Sequence, residues 1–453
     1  MFIFVTLKYN SRRVSEFSGY KPIIGVEIHI ELKTKSKMFC QCSADYWGKL
    51  PNTQTCPVCL GMPGALPVPN KRAIEWTIMI AYALNCRINK EFYFERKHYF
   101  YPDLPKGYQI TQRARPIGIG GWVEIFGKKF HIEEVHLEED TGKLIHNDDL
   151  TLIDFNRAGV PLVEIVTKPD FEDSEMVKRF LEEIQTIVRY LGVSDADMEK
   201  GSMRIEPNIS VAKVGERKLP SYKVEVKNIN SFNFAKKAID YEISRQIEIL
   251  KKGRKPLQET RGFDEKRGIT ILQRVKEMAA DYRYFPEPDI PPFKFTDNQI
   301  KEIVKNVPEL PFQKVKKYVY IYGVDEKDAY IITRNKEVAE YFEKIIADNR
   351  ITNTEERGLV RKLASMVVNK RVSLSLSPQD FVKAAIKKME RKKTDLASLR
   401  PVIDRILKEN VDVIEKIKKG EKGKINYLIG LVMKEIKGQA DPKVIREEIE
   451  RMI

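Results

Sequence analysis

The sequence predicts an α+β fold: a mixed α/β domain over residues 21–293, an all-helical domain over 294–405 and a small helical tail domain over 406–453. Three observations carry this. Up to about residue 290, period-two runs rich in β-branched residues, such as Ile23–Leu32, are interspersed with helical stripes. Pro286, Pro288, Pro291 and Pro292 then impose an extended boundary that neither a helix nor a central strand can cross. Beyond it strand signals nearly vanish and short, charged helices follow.

Taken in order, residues 1–20 read as a loose extension: their first nine are apolar, but no basic segment precedes them and no small-residue cleavage site follows. Arg72–Cys86 reads as an apolar helix with Cys86 on its core face. Gly118, Gly120 and Gly121 lie between strand-like runs and predict a hairpin rather than a phosphate loop. Asp173–Leu191 carries one stripe, Val177, Phe180, Leu181, Ile184, Ile187, Val188 and Leu191, and Gly192 supplies the stop. A second such helix runs from Ser231 to Lys252. The linker from Lys418 to Gly423 should leave the tail mobile, with Ile425–Ile436 as its apolar helix.

At 453 residues, with 42% hydrophobic and 32% charged, the chain has the composition of a soluble globular protein. No apolar run approaches the roughly 18 residues of a membrane span, and the expected compartment is cytoplasmic. The net charge of +15 is uneven: Arg361–Arg400 holds eleven basic and three acidic residues, densest at Lys387, Lys388 and Arg391. Such a face suits a phosphate backbone, and it equally suits a solvated helix end in a Lys/Glu-rich protein.

Two clusters could hold metal. Cys40 and Cys42, then Cys56 and Cys59, place two tight thiol pairs within twenty residues, the donor set of a closed structural zinc site. Disulfides are the alternative in an oxidising compartment. In Gly25–Glu31, alternation puts Glu27, His29 and Glu31 on one strand face, neighbours about 7 Å apart. A solvated strand face is the bland reading. Acids in apolar, strand-like surroundings elsewhere speak against it: Glu138 and Glu139 after His136, and Glu164 alone between Val163 and Ile165. Several carboxylates with a histidine suit a hard divalent ion, Mg²⁺ or Mn²⁺. No G-x-x-x-x-G-K-[ST] loop, G-x-S-x-G or Ser/Lys amidase signature occurs. The cation- and aromatic-rich stretch Arg96–Tyr108 is either a nucleotide contact or an ordered surface loop.

The runs GVEIHIELKTKSKMFC, LPNTQTCPVCLGMPGALPVPN, RKHYFYPDLPKGYQITQ, HLEEDTGK, NRAGVPLVEIV, KVEVKNINSFNFAKKAI and DYRYFPEPDIPP resemble the B subunit of the aspartyl/glutamyl-tRNA amidotransferases. The resemblance runs from about Ile23 to the C-terminus. It implies a cradle-like α/β domain, a helical domain and a mobile tail domain. It also implies a reaction: ATP phosphorylates the side-chain carboxylate of Asp or Glu on a mischarged tRNA, with Mg²⁺ offsetting charge. Ammonia from a separate amidase, the A subunit, then displaces phosphate, and a small C subunit completes the assembly. By motif, Glu27, His29, Glu138 and Glu164 are implied as Mg²⁺ ligands, with Glu139 competing with Glu138. Lys97 and Lys106 are assigned to ATP phosphates, Asn228, Asn230, Ser231 and Arg283 to the acceptor-end pocket, and Lys387, Lys388 and Arg391 to tRNA. Zinc would only stiffen its loop, and no membrane partner is expected. The runner-up of a different class is a non-catalytic, zinc-stapled tRNA-binding protein. The archaeal paralogue is disfavoured because FPEPDIPPF leads straight into the helical region, with no inserted domain.

Overall fold

The computed structural model describes residues 17, 19–147, 149–216, 218–275, 281–348, 357–389, 396–418, 420–436, 440 and 442–453. The predicted extension therefore lies almost wholly outside the described residues, and Tyr20 already opens the first strand. The chain divides into two compact units, Met1–Gln313 and Lys314–Ile453.

The first unit is built on a nine-stranded sheet. Its strands, in chain order, are β1 (Tyr20–Glu31), β2 (Arg87–Ile88), β3 (Gly118–Ile125), β4 (Lys128–Glu139), β5 (Pro161–Thr167), β6 (Met203–Lys213), β7 (Val224–Lys227), β8 (Glu259–Asp264) and β9 (Ile269–Val275). Their spatial order is β9-β8-β7-β6-β1-β5-β4-β3-β2. Only the β7–β8 pair is parallel; the other pairs are antiparallel. One face is apolar: Ile24, Val26, Ile28 and Ile30 of β1 are at most 1% exposed and share a core with helices α1 (Lys71–Ala83), α2 (Ser174–Leu191) and α3 (Phe232–Lys251). Burying each such side chain contributes about 1.5–3 kcal/mol. Phe130 stacks on Phe171 at 4.3 Å between ring centres, and Phe180 meets Phe171 edge-on.

The helices start and stop where side-chain chemistry dictates. The Asp173 carboxylate accepts from the Met176 N–H at the start of α2, and left-handed Gly192 ends it. Ser231 caps α3 by accepting from the Phe234 N–H. The predicted hairpin is present, but its turn is Phe126-Gly127, both at positive φ, and the glycine cluster lies inside β3. The reason is close approach. A Cβ on Gly121 would fall 2.4 Å from the Leu84 carbonyl, and one on Gly118 would fall 2.7 Å from the Ala81 Cβ.

The proline boundary is real in the chain but does not separate the units. After it comes α4 (Asp297–Val304), and Phe293, Phe295, Ile300, Ile303, Val304 and Phe312 pack on the first unit's core. The compact first unit therefore extends to Gln313, twenty residues past the expected boundary.

The second unit is helical among its described residues: α5 (Pro311–Tyr320) leads into α6 (Glu326–Thr333), α7 (Lys336–Asp348), α8 (Arg357–Val368), α9 (Pro378–Met389), α10 (Leu396–Glu409), α11 (Val411–Lys418), α12 (Ile425–Glu435) and α13 (Pro442–Met452). Its C-terminal core joins Leu399, Ile403, Ile406 and Leu407 of α10 to Ile425, Leu428, Ile429, Val432, Ile445 and Ile449. The expected start of the tail at residue 406 thus cuts through α10, whose apolar face is needed to complete that core. Among the described residues no helix is long and apolar enough to cross a membrane.

Candidate active site and metal centres

Register builds the site. His29 of β1 stands opposite Glu164 of β5 on one side and Arg204 of β6 on the other, and Glu164 stands opposite His136 of β4. Because directly opposed residues share a face, these four side chains form a row across the polar side of the sheet. Glu138 is two residues along β4 and falls on the same face. A short strand, Tyr108–Thr111, paired with Glu95–His98, lies against that end: Thr111 Oγ1 donates to Glu138 Oε2 at 2.9 Å.

His29, Glu138 and Glu164 converge. Their ligand atoms all lie within 4.8 Å of one another. His29 Nε2 is 3.8 Å from Glu138 Oε1 and 3.7 Å from Glu164 Oε1. Burial and the neighbouring Glu164 charge push the Glu138 carboxyl above its ordinary range. Glu164 shifts the other way: against its burial, His29 and His136 hold it strongly ionised. Two carboxylates whose affinities for a proton are driven in opposite directions, with an imidazole between, form a donor set that suits a hard divalent cation.

The structure brings Glu138, not Glu139, to this cluster. Glu139 turns to Lys106, 2.5 Å from its ammonium, and accepts from the Ile110 N–H. Lys106 is thus paired with a carboxylate here. The Lys97 ammonium lies 4.9 Å from the Tyr282 ring centre; burial works against its charge, but Glu138 and other neighbours outweigh it and raise its pKa. Glu27 does not join the triad either. It groups with Glu206 and Glu225, accepts from Asn208 at 2.9 Å, and shares a patch that Lys227 neutralises at 2.8 and 3.1 Å from the other two acids.

The remaining assignments fall elsewhere. Ser231 is spent as a helix cap, Asn230 donates to Glu265, Asn228 has φ of 60° beside Gly262, and Arg283 is exposed next to Asp281. Lys387 and Lys388 are exposed in the last turn of α9, with Lys388 donating to the Arg371 carbonyl. Arg391 lies outside the described residues.

The four cysteines do assemble. Their sulfurs lie within 4.8 Å of one another, and all are free thiols. The Cys56–Cys59 sulfurs are 3.9 Å apart, close to the ~3.8 Å edge of a tetrahedron with ~2.3 Å zinc–sulfur bonds. The Cys56 N–H points at the Cys59 sulfur at 3.2 Å. The fully buried Lys37 sends its ammonium to the Gln54 carbonyl at 2.7 Å and lies 3.8 Å from that sulfur. The lobe also touches the acidic side of the sheet. Gly61, at φ of 66°, packs so closely that a Cβ there would come 2.5 Å from Lys106 Cγ. Cys86, by contrast, is a core residue whose thiol burial pushes up to about 12.

Several site residues escape sequence reasoning. His136 opens the run HLEEDTGK but carries no role there. The alternation Arg204, Glu206, Asn208 in β6 is a signal of the same kind as that in β1. Beyond the triad, Tyr46 donates to both oxygens of Glu31 at 3.1 Å, and Asp140 meets Arg204 at 2.5 Å and Arg157 at 3.7 Å. Burial and the Asp140 charge push Glu31 up to about 8, while the two arginines outweigh burial and pull Asp140 down to about 2.

A sheet presenting carboxylates and imidazoles on one face, with helices on the other, describes an enzyme domain whose polar face could hold a cation. Residues 22–301 match the family profile described as the GatB/GatE catalytic domain, and residues 331–453 that described as the GatB domain. The B subunit of the aspartyl/glutamyl-tRNA(Asn/Gln) amidotransferase of Thermosipho melanesiensis is 41% identical, aligning 96% of this chain with 99% of its own. That of Roseiflexus castenholzii is 41% identical over 95% of this chain and 99% of its own, and that of Thermotoga maritima 40% over 96% and 99%. The chain belongs to the family of these B subunits.

With its carboxyl pushed up to about 8, Glu31 should be mostly protonated at pH 7, and Glu31→Gln should change unfolding free energy by less than about 1 kcal/mol. Asp140→Asn leaves Arg204 without its counter-charge and should cost about 3 kcal/mol in denaturant titrations. Equal losses in the two variants would show that Glu31 is ionised.

Proposed function

We propose that this chain activates the side-chain carboxylate of an aspartyl or glutamyl group carried by a mischarged tRNA and passes it to ammonia, within a multi-subunit tRNA amidotransferase. The amidotransferase activity comes with the family; the assignment of the activating step to the row of His29, Glu138 and Glu164 is carried by their convergence within 4.8 Å around the buried Glu138.

A carboxylate is a poor electrophile at neutral pH. Its oxygen therefore attacks the γ-phosphorus of ATP, ADP leaves, and the resulting acyl phosphate is attacked by ammonia with loss of phosphate and one proton. A divalent cation held by His29, Glu138 and Glu164 would offset negative charge on the phosphate and the carboxylate. The donor set fits such an ion: two hard oxygens and one imidazole nitrogen. Lys97, charged and at the same buried face, adds a fixed positive charge for a phosphate oxygen. Arg283, exposed beside Tyr282 and Tyr284, is the member of the acceptor-end set best placed to meet a nucleotide. Ammonia would come from a partner amidase, the A subunit, with a small C subunit in the same cytoplasmic assembly. Zinc held by Cys40, Cys42, Cys56 and Cys59 would fix the lobe beside Lys106.

With the assembled enzyme, mischarged Asp-tRNA, ATP, Mg²⁺ and free ammonium, Glu138→Gln and Glu164→Gln should each slow ADP release and amide formation by at least about 10²-fold. Glu27→Gln, outside the triad, should slow it less. Binding of tRNA with no ADP release in the unsubstituted enzyme would leave a non-catalytic RNA-binding protein. Metal analysis should find one zinc per chain, lost in Cys56→Ser; zinc-free chains with intact thiols would refute the site. Lys387→Glu with Lys388→Glu should weaken tRNA binding and reduce its salt slope by about one per phosphate contact removed. An unchanged slope would return the α9 end to a solvated face.

A further inference from the structure

Glu138 and Glu164 each have two oxygens, yet each turns only one toward His29. On Glu164, Oε1 lies 3.7 Å from His29 Nε2, while Oε2 lies 2.8 Å from His136 Nε2. On Glu138, Oε1 lies 3.8 Å from His29 Nε2, while Oε2 accepts from Thr111 Oγ1 at 2.9 Å. We propose that His136 and Thr111 are positioning residues that occupy the outer oxygen of each carboxylate, so that the cation receives one oxygen from Glu138, one from Glu164 and one nitrogen from His29.

The anchors are themselves fixed. His136 Nδ1 is 2.8 Å from the Gln112 carbonyl oxygen, which can only accept, so this nitrogen carries a proton. The ring is 7% exposed and cannot turn away without orphaning that contact. The Gln112 side chain in turn accepts from the Leu137 N–H at 3.0 Å, tying the ring's support to the strand that carries Glu138. With Nδ1 so oriented, Nε2 is aimed at Glu164 and nowhere else among the described residues. The 2.8 Å approach leaves Oε2 facing the ring and Oε1 on the His29 side.

Single-oxygen binding has a chemical consequence. Three protein donors leave half of an octahedral shell for water and substrate oxygens, the pattern of Mg²⁺ and Mn²⁺; Ca²⁺ favours more oxygens and two-oxygen carboxylates. His136 and Thr111 would therefore set ion preference as well as affinity, by keeping both glutamates from chelating with two oxygens.

The proposal rests on the cation reading above, and its test separates the two. Mn²⁺ binding to the full chain is followed by electron paramagnetic resonance, with Ca²⁺ as competitor, in wild type, His136→Ala, His136→Gln and Thr111→Val. Loss of one anchor should weaken Mn²⁺ by about 10–100-fold and narrow its advantage over Ca²⁺. His136→Gln, whose amide N–H can reach the same oxygen, should recover most of the loss. Thr111→Val preserves shape and keeps the test alive if His136→Ala does not fold. Wild-type affinity and ion preference in folded His136→Ala and Thr111→Val would overturn the proposal. So would equal losses in His136→Ala and His136→Gln. A wild-type chain that binds no Mn²⁺ would instead sink the cation reading, and this proposal with it.

Discussion

Strand β1 cannot slip by one residue against its neighbours without exchanging Ile24, Val26, Ile28 and Ile30 for Gly25, Glu27, His29 and Glu31 in the core. The exchange would expose four fully buried aliphatic side chains and bury three ionisable ones, a penalty far above the few kcal/mol that separate folded from unfolded chains. This register is what the site depends on. It sets Glu164 and Arg204 on either side of His29, and the same logic in β5 sets His136 opposite Glu164. The helices on the far face thereby fix the register that places the acids.

Gathering so much charge in one place is not how a protein gains stability. Buried ion pairs roughly break even against apolar packing, because desolvation offsets their attraction. Around the triad nearly every charge is answered: Glu139 by Lys106, Asp140 by Arg204 and Arg157, Glu206 and Glu225 by Lys227. Where the pairing is incomplete, burial pushes a carboxyl upward instead, as at Glu31 and Glu138. The place where two acids lie against imidazoles and a hydroxyl, with the Lys97 charge acting on both, is thus distinct from its surroundings. That contrast is what singles out the triad from the other carboxylates on the same face.

What could be read in the sequence was local. The alternation in β1, the stripe of α2, the caps at Asp173 and Ser231 and the paired cysteines each declare themselves within a few residues. What could not be read was which strand lies beside which. Glu138 and Glu139 are adjacent in sequence and equally buried, and only the neighbouring Thr111 and Lys106 distinguish them. Glu27 shares a strand face with His29, but β6 and β7 bring it different company. The packing divides the chain at other places than the prolines do. Prolines mark where the chain must straighten, not where packing ends, so α4 stayed with the sheet and α10 with the C-terminal core.

Gly61 joins two parts of the first unit that a sequence would treat as separate, the cysteine lobe and the Lys106–Glu139 pair. Much of that lobe's surface faces solvent: Leu50, Leu66 and Val68 are each more than 60% exposed. Substitutions there should be tolerated on the outside and poorly at Gly61. A lineage could discard the sulfurs and rebuild the lobe around another staple, yet any side chain at position 61 would press on Lys106 and so on the strand bearing Glu138. The lobe and the acidic face are thus coupled through a residue that has no side chain at all.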